Sequence, residues 1–496
     1  MNPPNNPWWE KTSHDELLHR QSKRLSRFLR DRVVPFAAYY RRLFEDNGID
    51  PRDIKSTDDL VKIPFTSKRN LGETRDFVII PDEEVLKKQP GTLLKVLRHG
   101  PKGTKRVLQE ELRPVLMTST TGRSSDPVPF LYTKHDLANL EAGGIRLMEI
   151  ARSDPSFRHI NAFPFAPHLA FWQAHYAGLG FNTFMLSTGG GKVMGTDGNA
   201  RLISKINPDA IIGMPTFLYH LTQHAASENL RWTNLKRVVL GGEKVPLGMR
   251  RKLQSLCADL GSQQVEIVST YGFTEAKMAW TECVPPPGEE PSGFHIYPDF
   301  AFIEIIDPET GERVPDGQPG EITFTPLDAR GSVVLRYRTG DLIDGGLTHE
   351  PCPHCGRTCP RLVGKISRVS DIKRLNIGKL KGTLVDFSAL EHVLDDTDGL
   401  GAWQIEIRKH NDDPLETDEI LVHVVPLDGH PSDGLADRIR DNLRHSTELS
   451  PNDIIFHSWD EMRVLQGVGK ELKEEKLVDH RPKAGEPETV EDSTNQ

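Results

Sequence analysis

From Val115 onward the sequence alternates short apolar segments with amphipathic stretches of helical period. The segments VVLGG, VEIVST, AFIEII and EITFT have the length and β-branched content of buried strands, whereas Ala200–Ile206 and Pro215–Ala225 have the period of helices. Strands interleaved with helices predict βαβ units, so the fold class is α/β, with sheets covered by helices. The stretch DPETGERVPDGQPG at 307–320 is a pair of turns between two strands, which predicts an antiparallel β part as well.

The length of 496 residues exceeds what one hydrophobic core can organise, so more than one domain is expected. After Asp371 the pattern changes to that of a smaller α+β unit. Its predicted elements are a helix at Ser388–Leu394, strands at Trp403–Ile407 and Glu419–Val425, a helix at Leu435–Leu443 and a closing basic helix.

Three further segments surround these units. The first thirty residues have the pattern of an amphipathic helix, and the acidic stretch 484–496, without a cation or large aromatic, is predicted to be a disordered tail. Residues 81–113 are rich in Lys and Arg, with Leu at helical intervals, and predict a solvated helical insertion. A partner-docking face is the alternative interpretation of this insertion.

Composition excludes several classes of protein. The chain has 62 Lys and Arg against 71 Asp and Glu, a net charge of −9, which argues against a general nucleic-acid binder. It has no run of eighteen apolar residues and no apolar stretch near Met1, so neither a membrane span nor a secretory signal is expected. We therefore expect a cytoplasmic protein without a nucleic-acid or membrane partner. A homodimer is left open.

A segment rich in small hydroxylated residues, MTSTTGRSSDPVPF at Met117–Phe130, could wrap phosphate oxygens with its backbone N–H groups and hydroxyls. It lacks the order of a Walker loop, and an ordinary surface loop has the same composition. Later, VVLGGE at 238–243 ends in paired glycines against which a flat ring could lie. STYGFTE at 269–275 presents Glu275, a carboxylate of the kind Mg²⁺ prefers, and YRTGDL at 337–342 presents Asp341, which could accept both ribose hydroxyls.

The order of these motifs, with a lysine near the end in GVGK, resembles the adenylate-forming superfamily of acyl-coenzyme A synthetases. Within it the chain resembles the phenylacetate–coenzyme A ligase family, from about Leu17 to Arg481. Further family markers are STDDLVKIPFTSK at Ser56–Lys68, TEC…GFH at Thr281–His295, CxxCGRT at Cys352–Thr358 and KEEKLVDHRP at Lys473–Pro482.

The resemblance implies a large N-terminal adenylation domain over 1–366, a hinge over 367–371 containing Asp371, and a small mobile lid domain over 372–483. It implies that Thr274 touches the α-phosphate, that Glu275 holds Mg²⁺, and that Lys470 on the lid neutralises charge during adenylation. The remaining implied ATP and AMP contacts are Thr118, Ser119, Thr120, Thr121, Gly122, Arg123, Gly241, Gly242, Glu243, Tyr271, Gly272, Asp341 and Arg368.

Aromatic residues cluster between Asn161 and Phe184, next to a GGG turn at Gly189–Gly191. They predict an apolar acid pocket, although core aromatics on a helix give the same pattern. A core histidine is the alternative interpretation of His168. The predicted pocket residues are Phe163, Phe165, His168, Phe171, Trp172 and Gly190.

The spacing Cys352-x₂-Cys355 is that of a zinc half-site. The marker TEC…GFH supplies Cys283 and His295 for a Cys₃His structural site within a knuckle over 283–359, with Cys359 and His349 as competing ligands. Reduced cysteines without metal are the alternative, and Cys257 is predicted to lie in the core.

The resemblance implies an ATP-dependent, AMP-forming carboxylate–coenzyme A ligase that uses Mg²⁺. The aromatic cluster adds the expectation of an aromatic or otherwise apolar acid, and the cysteines add that of a structural Zn²⁺. Two alternatives remain: an adenylate-forming enzyme that passes the acyl or adenylyl group to another acceptor, and a non-catalytic nucleotide-binding protein of the same fold.

Overall fold

The structure is a computed structural model of the full chain. It describes residues 8–88, 90–120, 127–368, 387–410, 418–427, 429–431, 433–447, 450–467 and 475–480. The chain divides into two compact units, one formed by 1–245 with 252–369 and the other by 246–251 with 370–496. The predicted hinge residue Asp371, the lysine Lys470, the loop residues Thr121, Gly122 and Arg123, and the tail 484–496 lie outside the described residues.

The larger unit begins with short helices and continues as alternating strands and helices. Its helices are α1 (Trp8–Lys11), α2 (His14–Phe28), α3 (Val34–Phe36), α4 (Ala38–Asp46), α5 (Glu83–Lys88), α6 (Pro90–Leu112), α7 (Lys134–Ile150), α8 (Leu169–Gly180), α9 (Gly191–Ile206), α10 (Pro215–Ser227) and α11 (Leu247–Asp259), the last of which starts in the segment grouped with the smaller unit. Its strands are β1 (Pro114–Ser119), β2 (Pro129–Thr133), β3 (Arg158–Pro164), β4 (Phe184–Gly189), β5 (Ala210–Gly213), β6 (Arg237–Gly241), β7 (Glu266–Phe273), β8 (Met278–Glu282), β9 (Phe294–His295), β10 (Ala301–Ile306), β11 (Gly320–Pro326), β12 (Tyr337–Ile343), β13 (Leu347–Thr348), β14 (Arg361–Leu362) and β15 (Ile366–Arg368).

A nine-stranded sheet organises this unit, with strand order β13-β14-β9-β8-β7-β6-β5-β3-β4. The strands β3 to β7 pair in parallel, as the alternation of apolar segments with helical ones predicts. From β7 to β13 every pairing is antiparallel. The parallel half therefore presents the carboxyl ends of several strands at one edge, which is where open α/β sheets bind ligands.

A separate antiparallel sheet has the order β10-β11-β12-β15. The residues between β10 and β11 form the predicted turns, and the two strands pair from Ala301↔Pro326 to Ile306↔Glu321. The N-terminal helices pack on this sheet: the Gln21 side chain donates to the carbonyls of Pro298 and Ala301. Apolar residues of both parts share one core, which explains why the helical N-terminus is amphipathic.

The insertion is helical, as predicted, and α6 is interrupted at Gly100, whose φ is +69°. None of the helices in the described chain is long and apolar enough to cross a bilayer. Cys257 is 1% exposed in the core, as predicted, and burial raises the pKa of its thiol to about 12.

The smaller unit contains one four-stranded sheet among its described residues. Its elements are α12 (Phe387–Asp396), β16 (Leu400–Lys409), β17 (Asp418–Pro426), α13 (Leu435–Thr447), β18 (Asp453–Phe456), α14 (Trp459–Leu465) and β19 (Leu477–Asp479), with strand order β18-β17-β16-β19. The helices α12 and α13 and the two central strands were predicted, whereas α14 was not. A closing basic helix was expected as well, but Leu477–Asp479, near the end of the described chain, form a strand that pairs in parallel with β16.

A buried carboxylate joins four parts of the larger unit. Asp136, in the first turn of α7, forms an ion pair with Lys277 (Oδ1 to Nζ, 2.8 Å), and the two side chains are 2% and 8% exposed. The carboxylate also accepts hydrogen bonds from the backbone and hydroxyl of Thr133 and from the N–H groups of Arg330 and Gly331. Burial raises the pKa of Asp136, but Lys277 and these donors outweigh burial and hold the pKa below its usual range.

We predict that Lys277→Met lowers the free energy of unfolding by about 3–5 kcal/mol, because it leaves the Asp136 charge buried without its cation. Urea unfolding measures the change. The matched control is Arg201→Met, which removes an i,i+4 pair with Asp197 whose side chains are 60% and 55% exposed. That variant should lose less than about 1 kcal/mol, and equal losses in the two variants would contradict a structural role for the buried pair.

Candidate functional site

The two most specific motifs are cross-linked by their own side chains. Tyr271, near the end of β7, donates its hydroxyl to Oδ2 of Asp341 in β12 at 2.9 Å. In return Tyr337, at the start of β12, donates its hydroxyl to Oε1 of Glu275, just after β7, at 2.7 Å. Each motif therefore supplies a tyrosine to the carboxylate of the other, and the structure brings Glu275 and Asp341 to one region.

Asp341 is 8% exposed and pairs across the antiparallel sheet with Arg368 of β15. The Nε atom of Arg368 lies 3.4 Å from Oδ1 of Asp341, and the arginine side chain is half exposed. Burial raises the pKa of Tyr271 well above its usual value, and the Asp341 charge adds to this effect, so the phenol stays a donor. A carboxylate fixed in this way is suited to accept hydroxyl hydrogen bonds from a bound sugar.

Glu275 lies in a short 3₁₀ turn, Thr274–Ala276, that connects β7 to β8. Burial raises the pKa of Glu275, while the hydrogen bond from Tyr337 opposes the rise. A buried carboxylate with so little compensation is stabilised by a nearby cation. Glu275 is thus a fitting ligand for Mg²⁺, which binds carboxylates together with phosphate oxygens.

Gly241 is the last residue of β6, the strand parallel to β7, and lies opposite Thr270, and Gly242 follows it. A Cβ at Gly241 would approach the Thr270 hydroxyl at 2.4 Å, whereas a Cβ at Gly242, where φ is +88°, would meet nothing within 4 Å. The space over Gly242 can admit a flat ring. Glu243 accepts a hydrogen bond from the backbone N–H of Thr216 at the start of α10. On β7 itself, Gly272 packs closely on Ala279 of β8.

The described ends of the predicted phosphate segment belong to β1 and β2, which pair in the antiparallel direction. Thr118 is fully buried, and its hydroxyl donates to that of Tyr132 at 3.2 Å, so this side chain is turned toward β2. The backbone N–H of Ser119 donates to the carbonyl of Pro167 at 2.6 Å. The Thr120 hydroxyl accepts a hydrogen bond from the N–H of Val128 at 3.0 Å.

The predicted pocket residues lie near the ends of β3 and β4. Phe163 is buried, and its ring comes within 3.5 Å of where a Cβ at Gly241 would stand. The aromatic cluster therefore adjoins the turn at Gly241 and Gly242. Phe165 is 55% exposed and packs edge-on against Phe171 (ring centroids 5.2 Å apart), which in turn contacts Trp172. His168 is hydrogen-bonded through Nδ1 to the Ser119 carbonyl at 3.0 Å, so its ring is held by the protein itself, as the alternative interpretation of this histidine expects.

The glycine turn beside these aromatics needs glycine for two reasons. Gly189 and Gly190 both have positive φ, and a Cβ at Gly190 would stand 2.8 Å from the Ala162 carbonyl oxygen. Asn199 of α9 holds the turn, because its amide donates to the carbonyls of Gly190 (3.1 Å) and Gly195 (2.7 Å).

Four potential zinc ligands meet at the antiparallel edge of the nine-stranded sheet. Cys283 follows β8, His295 ends β9, and Cys352 and Cys355 lie between β13 and β14. Their ligand atoms all lie within 4.8 Å of one another, with Nε2 of His295 3.2 Å from Sγ of Cys355 and the Sγ atoms of Cys283 and Cys352 3.6 Å apart. The donor set and spacing fit a closed tetrahedral zinc site.

The two competing ligands are placed elsewhere. His349 is hydrogen-bonded to Asp316 at 2.6 Å and its ring contacts that of His14. Cys359 is fully buried outside the group of four, and burial raises the pKa of its thiol. By contrast, the hydrogen bond between Cys283 and Cys352 lowers the pKa of Cys352 and raises that of Cys283, because one thiol donates to the other.

Sequence reasoning missed four residues that shape this region: Asp136, Lys277, Tyr337 and Asn199. Thr133 and Asp136 form a capping box at the start of α7, and this T-x-x-D spacing is visible in the sequence. Lys277 and Asn199 give no such signal, because their partners lie elsewhere in the chain or on backbone carbonyls.

Comparisons with known proteins identify the family to which the chain belongs. The sequence profile of the AMP-binding enzyme family matches residues 169–326. The chain is 30% identical to a phenylacetate-coenzyme A ligase of Thermus thermophilus over 371 residues, 74% of this chain and 73% of that protein. It is 26% identical to the same kind of ligase from Aromatoleum evansii over 488 residues, 96% of this chain and 97% of that protein.

Among solved structures, the fold is similar to that of a 2-hydroxyisobutyryl-CoA ligase in its postadenylation state. The TM-score is 0.74 at 19% identity, covering 97% of this chain and 94% of that chain. At this identity the likeness establishes the fold. Taken with the sequence relatives, it means that the chain belongs to the phenylacetate–coenzyme A ligase family of adenylate-forming enzymes.

Proposed function

We propose that this chain activates an aromatic or otherwise apolar carboxylic acid. As a family member it is an ATP-dependent, AMP-forming acid–coenzyme A ligase. In the first half-reaction a carboxylate oxygen attacks the α-phosphorus of ATP, and pyrophosphate leaves as the acyl-adenylate forms. In the second, the thiol of coenzyme A loses its proton and attacks the acyl carbon, so that AMP leaves and a thioester forms.

The reciprocal Tyr271–Asp341 and Tyr337–Glu275 hydrogen bonds are the observation that carries the assignment of the nucleotide site. They hold a sugar-accepting carboxylate and a cation-binding carboxylate in one region at the end of β7. In this proposal Asp341, supported by Arg368, accepts the ribose hydroxyls. The adenine then lies along Gly241, Gly242 and Glu243, next to Tyr271 and Gly272, because the space over Gly242 is free of other atoms.

The first half-reaction brings two anions together, so positive charge and oriented donors must stabilise its transition state. We assign Mg²⁺ binding to Glu275, where the ion would offset phosphate charge, and an α-phosphate contact to Thr274. In this proposal the phosphates are bound by Ser119, Thr120, Thr121, Gly122 and Arg123. Thr118 is left out of the direct contacts, because its hydroxyl is turned to Tyr132.

The smaller unit completes the proposed mechanism. Lys470 would supply a cation during adenylation, and Asp371 would be the hinge that lets this unit withdraw. A cation on a separate unit can leave after adenylation, which gives coenzyme A access to the adenylate.

The nature of the acid follows from the side chains that surround the turn at Gly189–Gly191. Phe163, Phe165, Phe171 and Trp172 offer apolar rings, and Gly190 leaves room beside them. His168 is bonded to the chain itself, so we give it a positioning role at the Ser119 carbonyl rather than a contact with the substrate carboxylate. A pocket with this lining selects an aromatic or apolar acid.

We propose that Cys283, His295, Cys352 and Cys355 bind one structural Zn²⁺. The Nδ1 atom of His295 faces the Thr281 carbonyl at 3.4 Å, which leaves Nε2 for a metal. All four positions would be filled by protein, so the ion would connect β8, β9 and the β13–β14 turn without taking part in the reaction.

Acid-dependent exchange of labelled pyrophosphate into ATP tests the proposed activity. We expect exchange with aryl and other apolar acids but not with amino acids, and AMP release with thioester formation when coenzyme A is added. Lys470→Ala should lower exchange by about 10²-fold or more, because it removes a charge used in the transition state. Lys205→Ala, which changes an exposed lysine of α9, is the matched control.

The outcomes also separate the alternatives. Exchange without thioester formation would indicate another acceptor. The absence of exchange with every class of acid would support a non-catalytic nucleotide-binding protein.

A second prediction concerns pH. The Tyr337 hydroxyl lowers the pKa of Glu275, which burial has raised, so Tyr337→Phe should raise that pKa further. Because the ionised carboxylate binds the cation, the acidic limb of the exchange rate should move to higher pH, and more Mg²⁺ should be needed. Tyr39→Phe, which changes a phenol stacked on Phe77, should leave the profile in place. A uniform loss of rate without a pH shift would contradict this role of Tyr337.

For the metal, we expect the purified protein to contain about one zinc per chain, and Cys352→Ser to lose it together with thermal stability. Cys359→Ser is the matched control, because Cys359 is buried nearby but is not one of the four grouped side chains. Elemental analysis and thermal melting give both readouts. A zinc-free wild-type protein, or equal zinc content in the two variants, would rule out the site.

A further inference from the structure

The insertion carries a local charge opposite to that of the whole chain. Between Glu84 and Glu110 there are seven cationic residues and no acidic one, although the net charge of the protein is −9. The cationic residues are Lys87, Lys88, Lys95, Arg98, Lys102, Lys105 and Arg106. A cluster of this size attracts an anionic surface.

The first part of α6 is also amphipathic. At 100° per residue, Leu93, Leu94, Val96 and Leu97 fall on one arc of about 160°, and Arg98 and His99 fall on the other side. In a helix that packs on its own protein, such an apolar arc is covered.

Here the arc is not covered. Leu93, Leu94 and Leu97 are 54%, 69% and 84% exposed, and Arg98 and His99 on the other side are exposed as well. The part of α6 after Gly100 behaves differently, because Thr104, Leu108 and Leu112 are buried at the usual four-residue interval. The second part thus anchors the helix, and the first presents three leucines to the surroundings.

We propose that the Pro90–His99 part of α6 docks onto an anionic lipid bilayer. The leucines would enter the interface while the cations contact lipid phosphates and other anionic headgroup atoms, as in helices that lie in the membrane plane. The bilayer is favoured over an acidic protein because the leucines form a convex ridge on one helix, and a bilayer needs no matching groove. This proposal does not depend on which acid the enzyme activates.

Co-sedimentation of the full-length protein with sucrose-loaded vesicles tests it. We expect binding to vesicles of phosphatidylcholine with phosphatidylserine, much weaker binding to phosphatidylcholine alone, and loss of binding at about 0.5 M salt. Changing Leu93, Leu94 and Leu97 together to serine should weaken binding by more than about tenfold. Arg98→Glu with Lys102→Glu should abolish the preference for the anionic lipid.

The matched control replaces three other exposed apolar residues with serine: Val61, Leu179 and Val464, which are 59%, 62% and 78% exposed. It should bind vesicles as the wild type does, and circular dichroism melting checks that all variants are folded. Three outcomes would overturn the proposal: no binding to anionic vesicles at low salt, equal loss in both triple variants, or a leucine-dependent oligomer without vesicle binding. The last would identify the ridge as a contact between copies.

Discussion

The buried carboxylate of Asp136 fixes the relative positions of the segments that carry the proposed nucleotide site. Thr133 ends the strand that follows the phosphate segment, Lys277 follows the turn that carries Glu275, and Gly331 precedes β12. A buried charge tolerates little displacement of its partners, because each lost donor leaves part of that charge unsatisfied. Residues far apart in sequence are thereby held in register by one side chain that touches neither the proposed nucleotide nor the acid.

The reciprocal tyrosine bonds refine this arrangement within the site. Without them, Glu275 and Asp341 would be two acids in a region of low dielectric that repel each other and each favour protonation. The Tyr337 and Tyr271 hydroxyls stabilise the ionised forms, and Arg368 adds positive charge beside Asp341. Glu275 keeps a pKa raised by burial, so it has the most to gain from a cation, whereas Asp341 is already compensated. The environments thus suit the two carboxylates to different ligands.

Local patterns were enough to predict the parallel strands and the flanking helices, because strand and helix periods are short-range signals. Cys spacing alone indicated only Cys352 and Cys355, and the family resemblance supplied Cys283 and His295, which the structure groups with them. Local patterns could not predict the direction of the Thr118 hydroxyl. The motif suggested a loop, but the strand continues to Ser119, and the alternation of side chains turns Thr118 inward to Tyr132. The edge strand Leu477–Asp479 was missed for a related reason: its partner in β16 lies 72 residues earlier, and a three-residue strand has no period of its own.

The insertion also shows that local sequence patterns do not predict which surfaces the rest of the chain covers. Its period and its charge are local, so the sequence identifies an amphipathic cationic helix, but it cannot tell whether the rest of the chain covers the apolar arc. The interruption at Gly100 divides α6 into two parts with different surroundings. The later part packs on the core through the buried side chains of Leu108 and Leu112. The net charge of −9 for the whole chain does not reveal this cationic helix, because its seven cations are outnumbered by acidic residues elsewhere. The expectation of no membrane partner came from the absence of a run of eighteen apolar residues, which is a test for spanning segments and does not address a helix that lies in the membrane plane.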